Sequence, residues 1–361
     1  MKRISEVIQI VYNEAVKLLW MPAFYIYVLM CIGFNIYLFC NGVGYKLESI
    51  HADIDALQES GDAFANDIHY DYYGQSDFST VLSYAKGERV YSRFANKCID
   101  NNYAKLESRA RTMEPEEQNS ASFTGNHRLH QFLYSEFIRC LIIESVILIV
   151  LVVVYSMHFE KYYQTHELVL SCKYGTLLIK VKLFVAGVYS LLLCVVLWFS
   201  CLIMYFSVID YSGIWKSYIS SNYNVDKRTV NDLYLYVYPY VTWKPETQAA
   251  YFVKTIGISV LILIFTILLS GIAALYFDND IKVMMFLVGG CCLMYCMGNL
   301  VQPDNILEFV FKLTPVHLIT KCGCWFMDYA PGDSYSGYEI LTVMIGILLE
   351  IPVLRWMLKD E

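Results

Sequence analysis

The sequence predicts an all-α polytopic membrane protein: six transmembrane helices, an N-terminal amphipathic helix, and a mainly helical extracellular insertion between spans 1 and 2. Composition is the first reason. Of 361 residues, 57% are hydrophobic and 17% charged, with a mean hydropathy of +0.42, whereas soluble domains run about half apolar and about a quarter charged. The second is concentration of the apolar surplus into long runs, each of the roughly 18 or more residues needed to cross a hydrocarbon core of about 30 Å. The third is physical: in lipid a helix satisfies every backbone group within itself, so such runs are read as helices. An ordinary cytosolic enzyme, a collagenous or disordered chain and a small disulfide scaffold are excluded by the same composition.

Taken in order, residues 1–20 alternate Lys2, Arg3, Glu6, Glu14 and Lys17 with Ile4, Val7, Ile8, Val11, Leu18 and Leu19. The period is helical, and an amphipathic helix lying on the membrane surface is expected. A cleavable signal peptide fits badly, because the apolar run begins beyond residue 20 and lacks a small-x-small cleavage site. The first span (residues 21–42) is read at about Pro22–Gly42 and the second at about Phe137–Met157. The third follows at Leu183–Ser207, the fourth at Tyr251–Phe277, the fifth at Val283–Val301 and the sixth at Tyr338–Leu358. Residues 137–358 thus hold spans two to six, with a cytoplasmic loop at 158–182 and external loops at 208–250 and 302–337.

Lysines set the orientation. The second-to-third loop carries Lys161, Lys173, Lys180 and Lys182, while Gln302–Gly337 has only Lys312 and Lys321. Both termini are therefore expected in the cytoplasm, with the chain in the plasma membrane. The segment 43–136, with 9 Lys/Arg and 15 Asp/Glu, becomes an ectodomain of net charge −6. Its Leu47, Ile50, Ile54 and Leu57 repeat at helical spacing, and Leu129, Phe132, Leu133 and Phe137 carry that spacing into the second span. The tyrosines 234, 236, 238 and 240 alternate as a strand would, yet beside a span aromatics are expected as an interfacial belt. The orientation is checked by an impermeant maleimide on sealed cells: Cys98 is expected to label and Cys172 to stay protected until the cells are broken. Labelling of Cys172 in sealed cells would reverse the topology.

Several chemistries lack their motifs. There is no G-x-x-x-x-G-K-[ST], no H-E-x-x-H and no G-x-S-x-G. The net charge of −7 and the lack of a Lys/Arg-rich stretch exclude a nucleic-acid binder. Of 12 cysteines, Cys31, Cys40, Cys140, Cys194, Cys201, Cys291, Cys292 and Cys296 fall inside apolar runs, where they act as small hydrophobes. Cys322 and Cys324 are one residue short of CxxC spacing. His158 and His166 are eight apart with no third ligand evident, so no metal site is expected. Inside or bordering the spans lie Asn35, Arg139, Glu144, Asn299 and Glu350. Buried charge in lipid is costly and marks sites worth inspecting. Two isolated glutamates fit interhelical glue better than a proton relay.

The most specific stretch is Phe159-Glu160-Lys161, then Glu167-Leu168-Val169-Leu170-Ser171-Cys172-Lys173-Tyr174-Gly175, then Ile179-Lys180-Val181-Lys182. An acidic residue after the second span, a short Leu-rich helix ending in Ser-x-Lys-x-Gly, and a lysine opening the third span resemble the permease subunits of ABC-2-type exporters. The insertion between spans one and two is similar to that of Gram-positive peptide or bacteriocin-type members. The resemblance implies that this segment is a coupling helix, with Glu160, Glu167, Leu168, Leu170, Lys173 and Gly175 meeting a separate ATPase, Gly175 capping the short helix. It implies further that residues 1–20 are an elbow helix, and that Ile306–Trp325, with Thr314 and Pro315, is re-entrant. The expected partners are two copies of an ABC ATPase, a second permease copy or paralogue, and membrane lipids, with no nucleic acid. The chain itself is expected to bind no cofactor and to be no enzyme, ATP and Mg residing in the ATPase. The cargo would be a peptide or lipid-like amphipath. The rival is a membrane sensor or structural protein whose ectodomain binds a peptide or cell-wall component. A secondary transporter is disfavoured by the lack of a visible inverted repeat.

Overall fold

The computed structural model describes residues 2–59, 93–112, 117, 130–165, 175–209, 211, 215–220, 226–230, 233–238, 242–300, 313–327 and 336–360. Helix α1 (Lys2–Leu19) turns at Trp20 and Met21 into α2 (Pro22–Glu59), and α3 covers Arg93–Arg111. A π-helical segment, Gln131–Ile138, runs directly into α4 (Arg139–Tyr162), and α5 spans Gly175–Val208. After a hairpin come α6 (Gln248–Tyr276), α7 (Asp280–Leu300), the short α8 (Pro315–Thr320), a 3-10 turn at Cys322–Cys324, and α9 (Tyr338–Asp360).

Among the described residues six helices are long and apolar enough to cross a membrane: Pro22–Gly42, Gln131–Tyr162, Leu177–Val208, Gln248–Tyr276, Asp280–Gly298 and Tyr338–Leu358. A chain with this set reads as a multi-pass membrane protein. The first and last agree with the spans read from sequence. The second and third are longer, and they extend into what was expected to be loop. Residues 158–162 and 175–182 are helical, so the connection between α4 and α5 shrinks from 158–182 to 163–174.

Helix α4 is the axis. It packs against α5 and α6, and α6 in turn against α9. Leu141, Ile142, Leu148, Ile149, Val152 and Val153 of α4 are completely buried. In lipid the hydrophobic effect does not drive helices together, so close packing must do so. Gly42 shows this: a Cβ there would lie 2.6 Å from the Phe132 ring, so only glycine lets α2 approach the π-helical start of α4. By contrast α7 is almost unburied along its apolar length, with only 11% of its most apolar stretch covered.

The described residues are not wholly helical. Strands β1 (Asp226–Val230) and β2 (Leu233–Tyr238) pair antiparallel, with Arg228 opposite Tyr236 and Thr229 opposite Tyr234 across an irregularity. The tyrosines 234, 236 and 238 therefore alternate because they lie on a strand, which corrects the belt reading.

The two ends of the bundle differ. At one, here the α8 end, residues 313–327 fold back onto the helices. Thr314 caps α8, its Oγ1 accepting from the His317 N–H at 3.4 Å, and Pro315 occupies the first turn, where its missing N–H costs nothing. Trp325 is fully buried and donates Nε1–H to the Leu318 carbonyl at 2.9 Å. The Phe326 N–H donates to Glu339 Oε1 at 2.6 Å. Trp243 N–H donates to the Phe326 carbonyl at 3.1 Å, which ties this segment to the chain leading into α6. At the other, the α1 end, α1 packs on α5.

Candidate functional site at the α1 end

The last turns of α4 hold four consecutive residues that face four neighbouring helices. Glu160 is 5% exposed, and both its oxygens are occupied within the chain. Oε1 accepts from Lys17 of α1 at 3.2 Å, and Oε2 pairs with Lys182 of α5. Lys17 also reaches Glu14, one turn earlier on α1, at 2.6 Å, and its Nζ sits 4.9 Å from the centre of the Phe159 ring. Two lysines and two glutamates thus form a cluster of zero net charge. Glu14 and Lys182 are 4% and 3% exposed, and such groups tolerate burial only when paired.

His158 and Lys161 complete the ring on the α6–α7 side. His158 is buried, with Nε2 2.8 Å from the Ala274 carbonyl and Nδ1 paired with the Asp280 carboxylate. Both ring nitrogens thus meet oxygen atoms of neighbouring elements. Lys161 donates to Asp278 at 3.0 Å and holds that carboxyl below its usual range. Asp278 is fully exposed, so this last pair contributes little. Asn279 opens α7, its Oδ1 accepting from the Ile281 N–H at 2.8 Å. One turn of α4 therefore ties together α1, α5, α6 and α7.

This geometry revises the expected role of Glu160. It is not an exposed carboxylate awaiting a basic residue on a partner, because two lysines of its own chain occupy it. Gly175, expected to end a short helix, is instead the first residue of α5. Helix α4 ends where Gln164 takes a left-handed backbone (φ 56) and the Thr165 N–H reaches the Glu160 carbonyl at 2.9 Å. Glu167, Leu168, Leu170 and Lys173 lie outside the described residues, as does His166.

The intramembrane polar residues divide. Asn35 donates to Glu144 Oε2 at 2.6 Å and to the Cys31 carbonyl at 2.9 Å, and Tyr27 donates to the Glu144 carbonyl at 3.1 Å. The two bonds to Glu144 join α2 to α4, the glue expected of them. Glu350 is buried on α9, and neither of its oxygens has a hydrogen-bond partner among the described residues. Arg139 opens α4 at the α8 end. It pulls down on the Cys322 thiol, but complete burial outweighs it and pushes that thiol well up. The Asn299 side chain lies outside the described residues. Among the described residues no three His, Cys, Asp or Glu side chains converge as a metal site would require.

Sequence reasoning passed over Glu14, Lys17, Lys182 and Asp280 as site residues. A signal existed only for the first two, an i,i+3 acid–base pair on an amphipathic helix. The fold thus defines a multi-pass helical membrane protein with a buried ionic hub at one end. No family model matches this chain, and neither does any curated protein or solved structure.

Proposed function

We propose that this chain is the permease subunit of an ATP-binding-cassette exporter of ABC-2 type, moving a peptide or lipid-like amphipath and driven by a separate ATPase. The observation that carries the reading is the hub. The segment 163–174 connects α4 to α5 beside the hub, where Glu160 pairs with Lys182 of α5 and with Lys17 of α1. A docking segment mounted there would pass a push into α1, α4 and α5 together, because the buried charges resist being drawn apart. The other connections at this end are far shorter, Trp20–Met21 between α1 and α2 and Phe277–Asn279 between α6 and α7. The little-buried α7 leaves an apolar face for a second permease copy. In this reading both termini are cytoplasmic, residues 43–136 are extracellular, and ATP and Mg are handled by two ATPase copies.

The test is the paired substitution Leu168→Ala and Leu170→Ala. Truncating buried interface anchors typically costs about 2 kcal/mol or more. The variant is expected to insert normally, to lose co-purification with its ATPase, and to lose transport-coupled hydrolysis. Unchanged association and unchanged transport in a normally inserted variant would remove the coupling role.

A further inference from the structure

A cleft of about 490 Å³ opens where the starts of α2 and α7 meet the second half of α4. That volume falls within the roughly 300–1,000 Å³ of small-molecule sites. Its lining includes four aromatic rings, Phe24, Tyr27, Tyr155 and Tyr162, and among the described residues Asp280 is the single charged side chain on it. The rings are held. Phe24 meets Tyr155 edge-on at 5.6 Å between centres, and the Tyr27 hydroxyl is bonded to the Glu144 carbonyl. Asp280 engages His158 through Oδ1, Oδ2 has no hydrogen bond among the described residues, and the side chain is 28% exposed.

The chemistry of this wall selects by charge. A carboxylate only accepts, and aromatic faces are electron-rich, so both attract a cation that has shed its water. Among the described residues no Lys, Arg or His lines the cleft to meet an anion. The remaining lining is aliphatic or methionine, suited to an apolar body. We infer that this cleft binds a lipophilic cation, its charge placed between Asp280 and the tyrosines and its body along α2. The inference rests on the exporter reading and deepens it by naming the class of cargo.

Two ions of matched shape and opposite charge, tetraphenylphosphonium and tetraphenylborate, provide the test. The full-length chain is placed in nanodiscs of zwitterionic lipid, and binding above that of empty nanodiscs is measured by equilibrium dialysis. Saturable binding of the phosphonium alone is expected. Asp280→Asn keeps a hydrogen-bonding partner for His158 and should weaken phosphonium binding about tenfold. Ala23→Trp fills the cleft from the first turn of α2 and should abolish saturable binding; it decides the matter should the Asp280 variant fail to fold. Equal binding of both ions, phosphonium binding no higher than in empty nanodiscs, or undiminished affinity in Ala23→Trp overturns the proposal. No ATPase is present in this experiment. A negative result therefore strikes the cation site alone, and a negative result with Leu168→Ala and Leu170→Ala strikes the coupling reading alone.

Discussion

Glu160→Ala is expected to destabilise the chain by about 3–5 kcal/mol, the cost of leaving a buried charge without its partner. The stranded charge is Lys182. It is 3% exposed, and its ion pair is with Glu160 Oε2. Lys17 would suffer less, since it keeps Glu14 at 2.6 Å and its side chain is 32% exposed. The contrast makes the prediction specific. Lys182→Ala should cost less than Glu160→Ala, because the Glu160 carboxylate keeps Lys17 at 3.2 Å, whereas Lys17→Ala should cost about 1 kcal/mol or less. Glu160→Leu combined with Lys182→Met should recover most of the loss, since an apolar pair of similar volume replaces a buried ion pair at little cost. Unfolding in detergent by thermal or denaturant titration measures all four. If Glu160→Ala and Lys17→Ala prove equal and small, the cluster does not hold α1, α4 and α5 together.

How much of this was legible in the sequence depends on the range of each signal. Hydropathy sums over about twenty neighbours, so the six apolar helices could be read directly, and the first and last agree with the structure at both ends. Charges misled the inner boundaries. A lone Glu160 or Lys182 beside an apolar run reads as the start of a loop, and the spans were closed at Met157 and opened at Leu183. The two residues in fact neutralise each other inside the helices, 22 positions apart in sequence. No periodicity of 3.6 or 2 reports a pair at that separation. Asn35 and Glu144 were each marked by the cost of polarity in lipid, yet their bond joins residues 109 apart. For Tyr234, Tyr236 and Tyr238 the period was visible and a composition argument overrode it. The His158–Asp280 pair was out of reach for the same reason as the hub, its members lying 122 apart.

Gly323→Ala should destabilise the α8 end by about 1–3 kcal/mol, the range for forcing a methyl into a packed site. Gly323 sits in the 3-10 turn at Cys322–Cys324, and its carbonyl is 2.9 Å from His130 Nε2 and 3.5 Å from the Tyr251 hydroxyl. A Cβ on it would lie 1.8 Å from Ser135 Oγ, 2.9 Å from Ser135 Cβ and 3.2 Å from the Ser135 backbone nitrogen. The hydroxyl can rotate away, but the backbone of the π-helical segment cannot, so the turn must lift and lose both bonds to its carbonyl. Cys322 reports the lifting. It is completely buried, and burial holds its thiol neutral, so in the native chain it should resist alkylation, the thiolate being the reactive form. In a background retaining Cys322 as the sole cysteine, Gly323→Ala should make that thiol reactive and lower the melting temperature. Adding Ser135→Gly removes the two closest contacts and leaves only the 3.2 Å approach to the backbone nitrogen, so it should restore most of the protection. A Gly323→Ala chain with an unchanged melting temperature and an unreactive Cys322 would mean that residues 313–327 do not pack against the start of α4.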